Sequence, residues 1–219
     1  MISLHSTAVS TTLDRLYREA ELQDPDLRRR ARAECEARGT PFDDRAVASL
    51  LDSAFIGVAP EVGRLLYQLV RLRRPERVVE FGTSFGLSAI HIAAALADNG
   101  RGRLIATEID AQKAERATQH LREAGLETWA EVRPGDPFET LVGVERIDLL
   151  LLDGWKALYL PMLRALEPAL GEGALVIADD LKIMPEMLAP YLAYVRDPAN
   201  GYSSGEIPLD DGLELSLRG

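Results

Sequence analysis

The sequence predicts an α/β fold: a mostly parallel seven-stranded sheet with helices on both faces and an antiparallel hairpin at the C-terminal end. Three observations predict it. From Arg77 onward short apolar runs alternate with helically spaced stretches, the pattern of parallel strands joined by crossover helices. The stretch Arg77 to Ala97, RVVEFGTSFGLSAIHIAAALA, reads strand, tight glycine turn, helix. The tail breaks the alternation: residues 205–209, the turn Asp210-Asp211-Gly212, and then residues 213–217 with Leu213, Leu215 and Leu217 on one face read strand, turn, strand.

In chain order, residues 1–57 are helical and charged. Leu13, Leu16, Tyr17 and Ala20 recur at helical intervals, and Asp24-Pro25 is expected to break that helix before an arginine-rich run. Arg28-Arg29-Arg30 sits among Glu34 and Glu36 and reads as a solvated face rather than a phosphate site. Asp43 or Asp44 can cap a further helix carrying Val47, Leu50, Leu51, Ala54 and Phe55. These helices are expected to form a lid or a homodimer surface. Gly57-Val58-Ala59-Pro60 is a break, and Pro60 suits the first turn of the next helix, with Val62, Leu65, Leu66, Leu69 and Val70 inward. Strands are expected at residues 77–81, 103–107, 129–133, 147–152 and 174–178, with helices between them. The chain thus reads as one domain, with residues 1–57 an extension or lid and 58–219 the core that binds cofactor and carries the chemistry.

Composition narrows the partners. The 219 residues, 47% hydrophobic, suffice for a substantial core. A formal charge of −10 opposes nucleic acid and anionic membrane surfaces. A small molecule is the expected partner. The single Cys35 excludes an intramolecular disulfide, no apolar stretch approaches bilayer length, and the N-terminus lacks signal-peptide features. A cytoplasmic location is the expectation.

The glycine turn has informative spacing. Gly82 and Gly86 stand four apart in E-x-G-T-x-x-G, not in the G-x-G-x-x-G order that carries a dinucleotide pyrophosphate. Glu80, at the end of a strand that should be buried, is costly unless paired, and a cationic ligand would pair it. Glu108 ends the second strand, where a carboxylate can accept hydrogen bonds from two ribose hydroxyls. After the third strand, Asp136-Pro137 can start a turn. A plain strand-to-helix connection remains an alternative for the glycines.

The segment Ile147 to Leu160, IDLLLLDGWKALYL, is the most specific. Its apolar run describes a buried central strand that delivers Asp153, Gly154, Trp155 and Lys156 at its carboxyl end. The fifth strand delivers Asp179 and Asp180 in the same way. Three carboxylates converging there would repel unless a cation were bound, and oxygen ligands suit Mg²⁺. Helix capping by these aspartates is the structural alternative.

These motifs resemble class I S-adenosylmethionine-dependent methyltransferases, a Rossmann-like fold. D-G-W-K-x-x-Y-L-P after the fourth strand, G-A-L-V-I-A-D-D after the fifth and the closing D-G-L-E at Asp211 to Glu214 look like catechol O-methyltransferases and the bacterial cation-dependent O-methyltransferases. The resemblance implies S-adenosylmethionine as methyl donor, with Val58, Glu80, Gly82, Ser88, Glu108, Asp136 and Trp155 on the cofactor side. It implies Mg²⁺ or another divalent cation on Asp153, Asp179 and Asp180, and Lys156 as general base, a position that draws one of only three lysines against 22 arginines. Two positions depart from the family pattern. Asp180 stands where Asn is usual, and the acceptor-binding acidic residue near the C-terminus has only Glu206 close to its spacing. The expected activity is metal-assisted methyl transfer to a hydroxyl of a small catechol-like diol. A metal-independent methyltransferase and a non-catalytic nucleotide-binding module are the competing readings. His91, inside the first long helix of the core, is expected to be core or surface rather than catalytic.

Overall fold

A computed structural model of the chain describes residues 2–39, 50, 51 and 53–219. Seven strands form one sheet: β1 (Arg77–Phe81), β2 (Arg103–Glu108), β3 (Ala130–Pro134), β4 (Ile147–Leu152), β5 (Leu170–Ala178), β6 (Tyr202–Ile207) and β7 (Leu213–Arg218), in the order β3-β2-β1-β4-β5-β7-β6. The first five are parallel, and β7 enters antiparallel between β5 and β6. The hairpin strand β6 starts at Tyr202, three residues earlier than its sequence pattern indicates, because Tyr202 pairs with Arg218 and its hydroxyl reaches the Glu167 carboxylate at 2.7 Å. Likewise β5 reaches back to Leu170, beside Ile147.

Among the described residues, seven α-helices accompany the sheet: α1 (Thr7–Arg38), α2 (Pro60–Arg73), α3 (Leu87–Asn99), α4 (Ala111–Glu123), α5 (Pro137–Thr140), α6 (Tyr159–Leu166) and α7 (Pro185–Arg196). Among the described residues, no helix is long and apolar enough to cross a membrane. Strand residues alternate between two cores, as the pleat requires. Val78, Leu149, Leu151 and Ile177 pack with α1, α2 and α3. Val79, Phe81, Leu150, Leu152 and Val176 pack with α6 and α7. Glu80 lies on the first of these faces, opposite Ala106 and Leu151, with no exposed surface.

The N-terminal segment differs from its pattern. Asp24-Pro25 does not break the helix: α1 runs unbroken from Thr7 to Arg38 with Pro25 inside it. Asp24 makes long-range bonds instead of starting a new helix. Its carboxylate accepts from Phe55 N at 2.8 Å and Ile56 N at 3.0 Å, holding the later segment against α1. The helix expected over Val47 to Phe55 lies partly outside the described residues, as do its caps Asp43 and Asp44; Ala54 and Phe55 are not helical. Val58 is buried in the core beside Val62 and Leu87 rather than standing in the cleft described below.

Candidate active site

The sheet register sets the site. Phe81, Thr107, Leu152 and Ala178 form one row across β2, β1, β4 and β5. The next residues, Gly82, Glu108, Asp153 and Asp179, follow at the carboxyl edge, tied by Gly82 N to Thr107 O (3.2 Å), Asp153 N to Phe81 O (2.9 Å) and Asp179 N to Leu152 O (3.0 Å). This edge is the crevice where the strand order reverses, the ordinary ligand position of such sheets. A cleft of about 410 Å³ opens there, lined among others by Gly82, Ser84, Glu108, Asp153, Trp155, Lys156 and Asp180.

On the donor side, the chain leaves β1 through Gly82 at φ 88° and enters α3 through Gly86 at φ 91°. A Cβ on Gly82 would stand 2.6 Å from Gly154 Cα and 2.8 Å from Asp153 O, so only glycine lets the two strand ends approach. Ser88, in the first turn of α3, donates its hydroxyl to Glu80 Oε1, while Glu80 Oε2 is buried without a partner. Burial pushes the Glu80 carboxyl up to about 7, against the Ser88 hydrogen bond. The orphaned carboxylate oxygen lacks the donor that a buried polar atom requires, and Glu80 itself stands outside the cleft lining. Glu108 accepts from Ser84 N at 2.8 Å and Asp110 N at 3.0 Å. That leaves further lone pairs on the same oxygens for hydroxyl donors.

On the β4 and β5 side, Lys156 is buried at 6% exposure and sits in a 3-10 turn. Its ammonium donates to Asp180 Oδ2 at 2.9 Å and to Tyr159 Oη at 2.8 Å, and the Tyr159 hydroxyl donates to Asp179 O at 3.1 Å. Burial works against the Lys156 charge, but Asp180 and Asp153 outweigh it and raise the amine above its ordinary range. Asp153 is pushed well above the carboxylate range by burial and by Asp179, and Asp179 is raised to about 7 by burial and by Asp180. Asp180 adopts a left-handed φ of 65°, which Asp tolerates better than most residues, and it thereby reaches the cleft immediately after β5.

Neither strand end serves as a helix cap. The turn after β4 is capped by Trp155 and α7 by Met184, both without a side-chain cap bond. Among the described residues no group of three or more Asp, Glu, His or Cys side chains is gathered to hold a metal ion, and Asp180 is instead drawn to Lys156. The chemistry of the donor set nonetheless fits a divalent cation. Asp179 Oδ1 is buried with no partner, and Lys156 supplies one positive charge against three carboxylates.

Other expected positions fall elsewhere. Asp136 caps the short α5 through Phe138 N at 2.8 Å and does not line the cleft, whereas the adjacent Pro137 does. Glu206 lies on β6, 3.5 Å from Arg196 and outside the cleft lining. His91 is a core histidine, 3.1 Å from Tyr17 Oη, lowered to about 4 by burial. Three residues not anticipated from sequence shape the cleft roof. Ser84 donates its hydroxyl to Phe55 O, Lys113 Nζ donates to Leu51 O at 3.1 Å and Ala54 O at 2.9 Å, and Asp24 holds the same segment from α1. The scarcity of lysine could have marked Lys113 as it marked Lys156.

Residues 79–181 match the family model described as a methyltransferase domain. The chain is 30% identical to catechol O-methyltransferase B of Danio rerio, over 97% of this chain and 84% of that protein. It is 29% identical to catechol O-methyltransferase of Mus musculus, over 81% of this chain and 73% of that one. Among solved structures it is similar to the O-methyltransferase TomG of Streptomyces achromogenes, involved in tomaymycin synthesis and solved with S-adenosylmethionine. That similarity has a TM-score of 0.65 at 25% identity, covering 74% of this chain and 82% of the other. A Bacillus cereus O-methyltransferase solved with S-adenosylhomocysteine shares the fold, with a TM-score of 0.66 at 18% identity, covering 89% and 91% of the two chains.

Proposed function

Because this chain belongs to the class I S-adenosylmethionine-dependent O-methyltransferases of the catechol O-methyltransferase type, we propose that it methylates one hydroxyl of a small vicinal diol with the help of a divalent cation. Membership of an enzyme family removes the non-catalytic reading. The observation that supports the reading best is the row of strand ends: Gly82 and Glu108 on one side of the cleft, Asp153 and Asp179 on the other, with Lys156 and Asp180 2.9 Å apart between cofactor edge and roof.

Each residue then has a part. Glu80, oriented by Ser88, takes the donor's ammonium on its free oxygen, and Glu108 holds the ribose hydroxyls. Gly82 gives the donor room. Trp155, half-buried against the roof cluster of Ala31, Leu51, Ala54 and Met184, packs beside the base and shuts out water. Asp153, Asp179 and Asp180 would hold the cation, which when bound lowers the pKa of a coordinated hydroxyl and fixes its direction. With a cation on them, these aspartates would hold the Lys156 charge less strongly, and Nζ, once neutral, takes the hydroxyl proton. The acceptor oxygen forms a bond to the methyl carbon as the carbon–sulfur bond breaks, and that electron pair stays on sulfur. Opposite charges cancel in this displacement, so holding the reactants in line contributes most of the rate. Of the N-terminal residues expected as a lid, α1 together with Leu51 and Ala54 to Ile56 closes the cleft from above, pinned by Asp24, Ser84 and Lys113.

The test is transfer of labelled methyl from S-adenosylmethionine to catechols and other hydroxylated aromatics, with identification of the product. Mono-O-methylated diols support the reading. Retention of the cofactor without any methylated aromatic diol overturns the acceptor class.

A further inference from the structure

Among the described residues, three cations line the cleft: Arg28, Lys113 and Lys156. Two are engaged. Lys156 pairs with Asp180, and Lys113 is bound to the carbonyls of Leu51 and Ala54. Arg28 is exposed and makes no hydrogen bond or ion pair among the described residues, although its helix neighbours Arg29 and Arg38 are tied to Asp26 at 2.8 Å and Glu34 at 2.7 Å.

Its place on α1 is defined from both sides. One turn earlier, Asp24 holds the backbone of Phe55 and Ile56; three residues later, Ala31 packs in the apolar roof cluster with Leu51, Ala54, Trp155 and Met184. Trp155 follows Asp153 by two residues and Met184 follows Asp180 by four. Arg28 therefore shares the roof with the residues that flank the reacting end of the cleft. An acceptor that covered an unpaired guanidinium without answering its charge would lose hydration there and gain nothing in return. A carboxylate would answer it with two parallel hydrogen bonds.

We infer that Arg28 reads a carboxylate on the acceptor, so that the preferred substrate is an acidic aromatic diol rather than a neutral or amine-bearing one. This rests on the proposed transfer to a diol hydroxyl. In a chain of formal charge −10, whose cleft also presents Glu108, Asp110, Asp153 and Asp180, a cation in this place is what makes an anionic acceptor admissible.

The test is calorimetric titration of 3,4-dihydroxybenzoate and of catechol onto the full chain loaded with S-adenosylhomocysteine and Mg²⁺, in wild type, Arg28→Gln and Arg28→Glu, with melting temperatures as a folding control. The acid is expected to bind about tenfold tighter than catechol in wild type, as a charge-assisted bidentate contact would give. Arg28→Gln should remove that preference and Arg28→Glu invert it, with catechol and S-adenosylhomocysteine affinities unchanged. Absence of a wild-type preference, no binding of the acid, or a loss that falls on S-adenosylhomocysteine instead would each overturn the assignment. Methylation assays on the same two compounds separate the readings. A bound acid that depends on Arg28 but is never methylated defeats the diol transfer and leaves Arg28 as an anion reader. Equal binding and methylation of both compounds defeats Arg28 alone.

Discussion

Lys156 Nζ lies 2.9 Å from Asp180 Oδ2, at the point where β4 and β5 deliver their terminal residues to one cleft. The pair joins the residue proposed as base to the residue that departs from the family pattern. Its neighbours Asp153 and Asp179 are carboxyls whose charge burial opposes. The site is thus under electrostatic load that a bound cation would relieve.

Lys156→Ala should lower turnover by roughly 10²-fold or more, the usual contribution of a positioned base. Cofactor affinity should hold, because Lys156 contacts Asp180 and Tyr159 rather than the donor side. Steady-state kinetics beside cofactor titration checks both; unchanged turnover removes Lys156 from the mechanism.

Glu80→Gln should weaken S-adenosylmethionine by roughly 1.5–3 kcal/mol, the range for a hydrogen bond to a charged group. The pH dependence carries its own sign. Burial raises the folded Glu80 carboxyl to about 7, above the ordinary glutamate value, so folding retains a proton that the unfolded chain has released. Its stabilising contribution is complete below the ordinary glutamate range and is lost as pH rises through about 7. The donor's ammonium favours the carboxylate, so binding near pH 6 should release a proton. Calorimetry in buffers of different ionisation enthalpy measures that release, and Glu80→Gln should abolish it.

Asp24→Ala should destabilise the protein by roughly 1–3 kcal/mol, since two backbone N–H groups lose their acceptor. The same change frees the Phe55–Ile56 segment that roofs the cleft, so cofactor affinity should fall with it. Urea denaturation and cofactor titration read the two effects; a stability loss with unaltered affinity would separate the roof from cofactor binding.

Gly82→Ala should abolish cofactor binding, because φ is 88° and the new methyl would meet Gly154 and the Asp153 carbonyl inside 3 Å. Equilibrium binding on folded variant protein checks it, with circular dichroism to establish the fold.

Much of this was legible in residue order, for physical reasons. The strands β1 and β4 read directly because Val78-Val79 and the Leu149 to Leu152 run are buried on both faces. Asp153, Asp179 and Asp180 follow from β4 and β5 ending side by side. What stayed hidden depends on contacts remote in sequence. Asp24-Pro25 looks like a helix end until Asp24 is seen to hold Phe55 and Ile56, 31 and 32 residues away. Asp136 is open to two readings, a contact to the base or the start of a turn, and its carboxylate accepts from Phe138 N. Arg28 looks like any arginine on a solvated face, and only the packing of α1 over Trp155 brings it to the cleft.

The most direct test of the central claim is methyl transfer to a catechol measured for wild type and Asp153→Ala, each in Mg²⁺ and in EDTA. Metal-assisted transfer predicts turnover by wild type in Mg²⁺, its loss in EDTA, and a variant that is equally poor in both. Equal turnover by wild type with and without the chelator would contradict it, assigning the three aspartates a role in the fold rather than in the reaction.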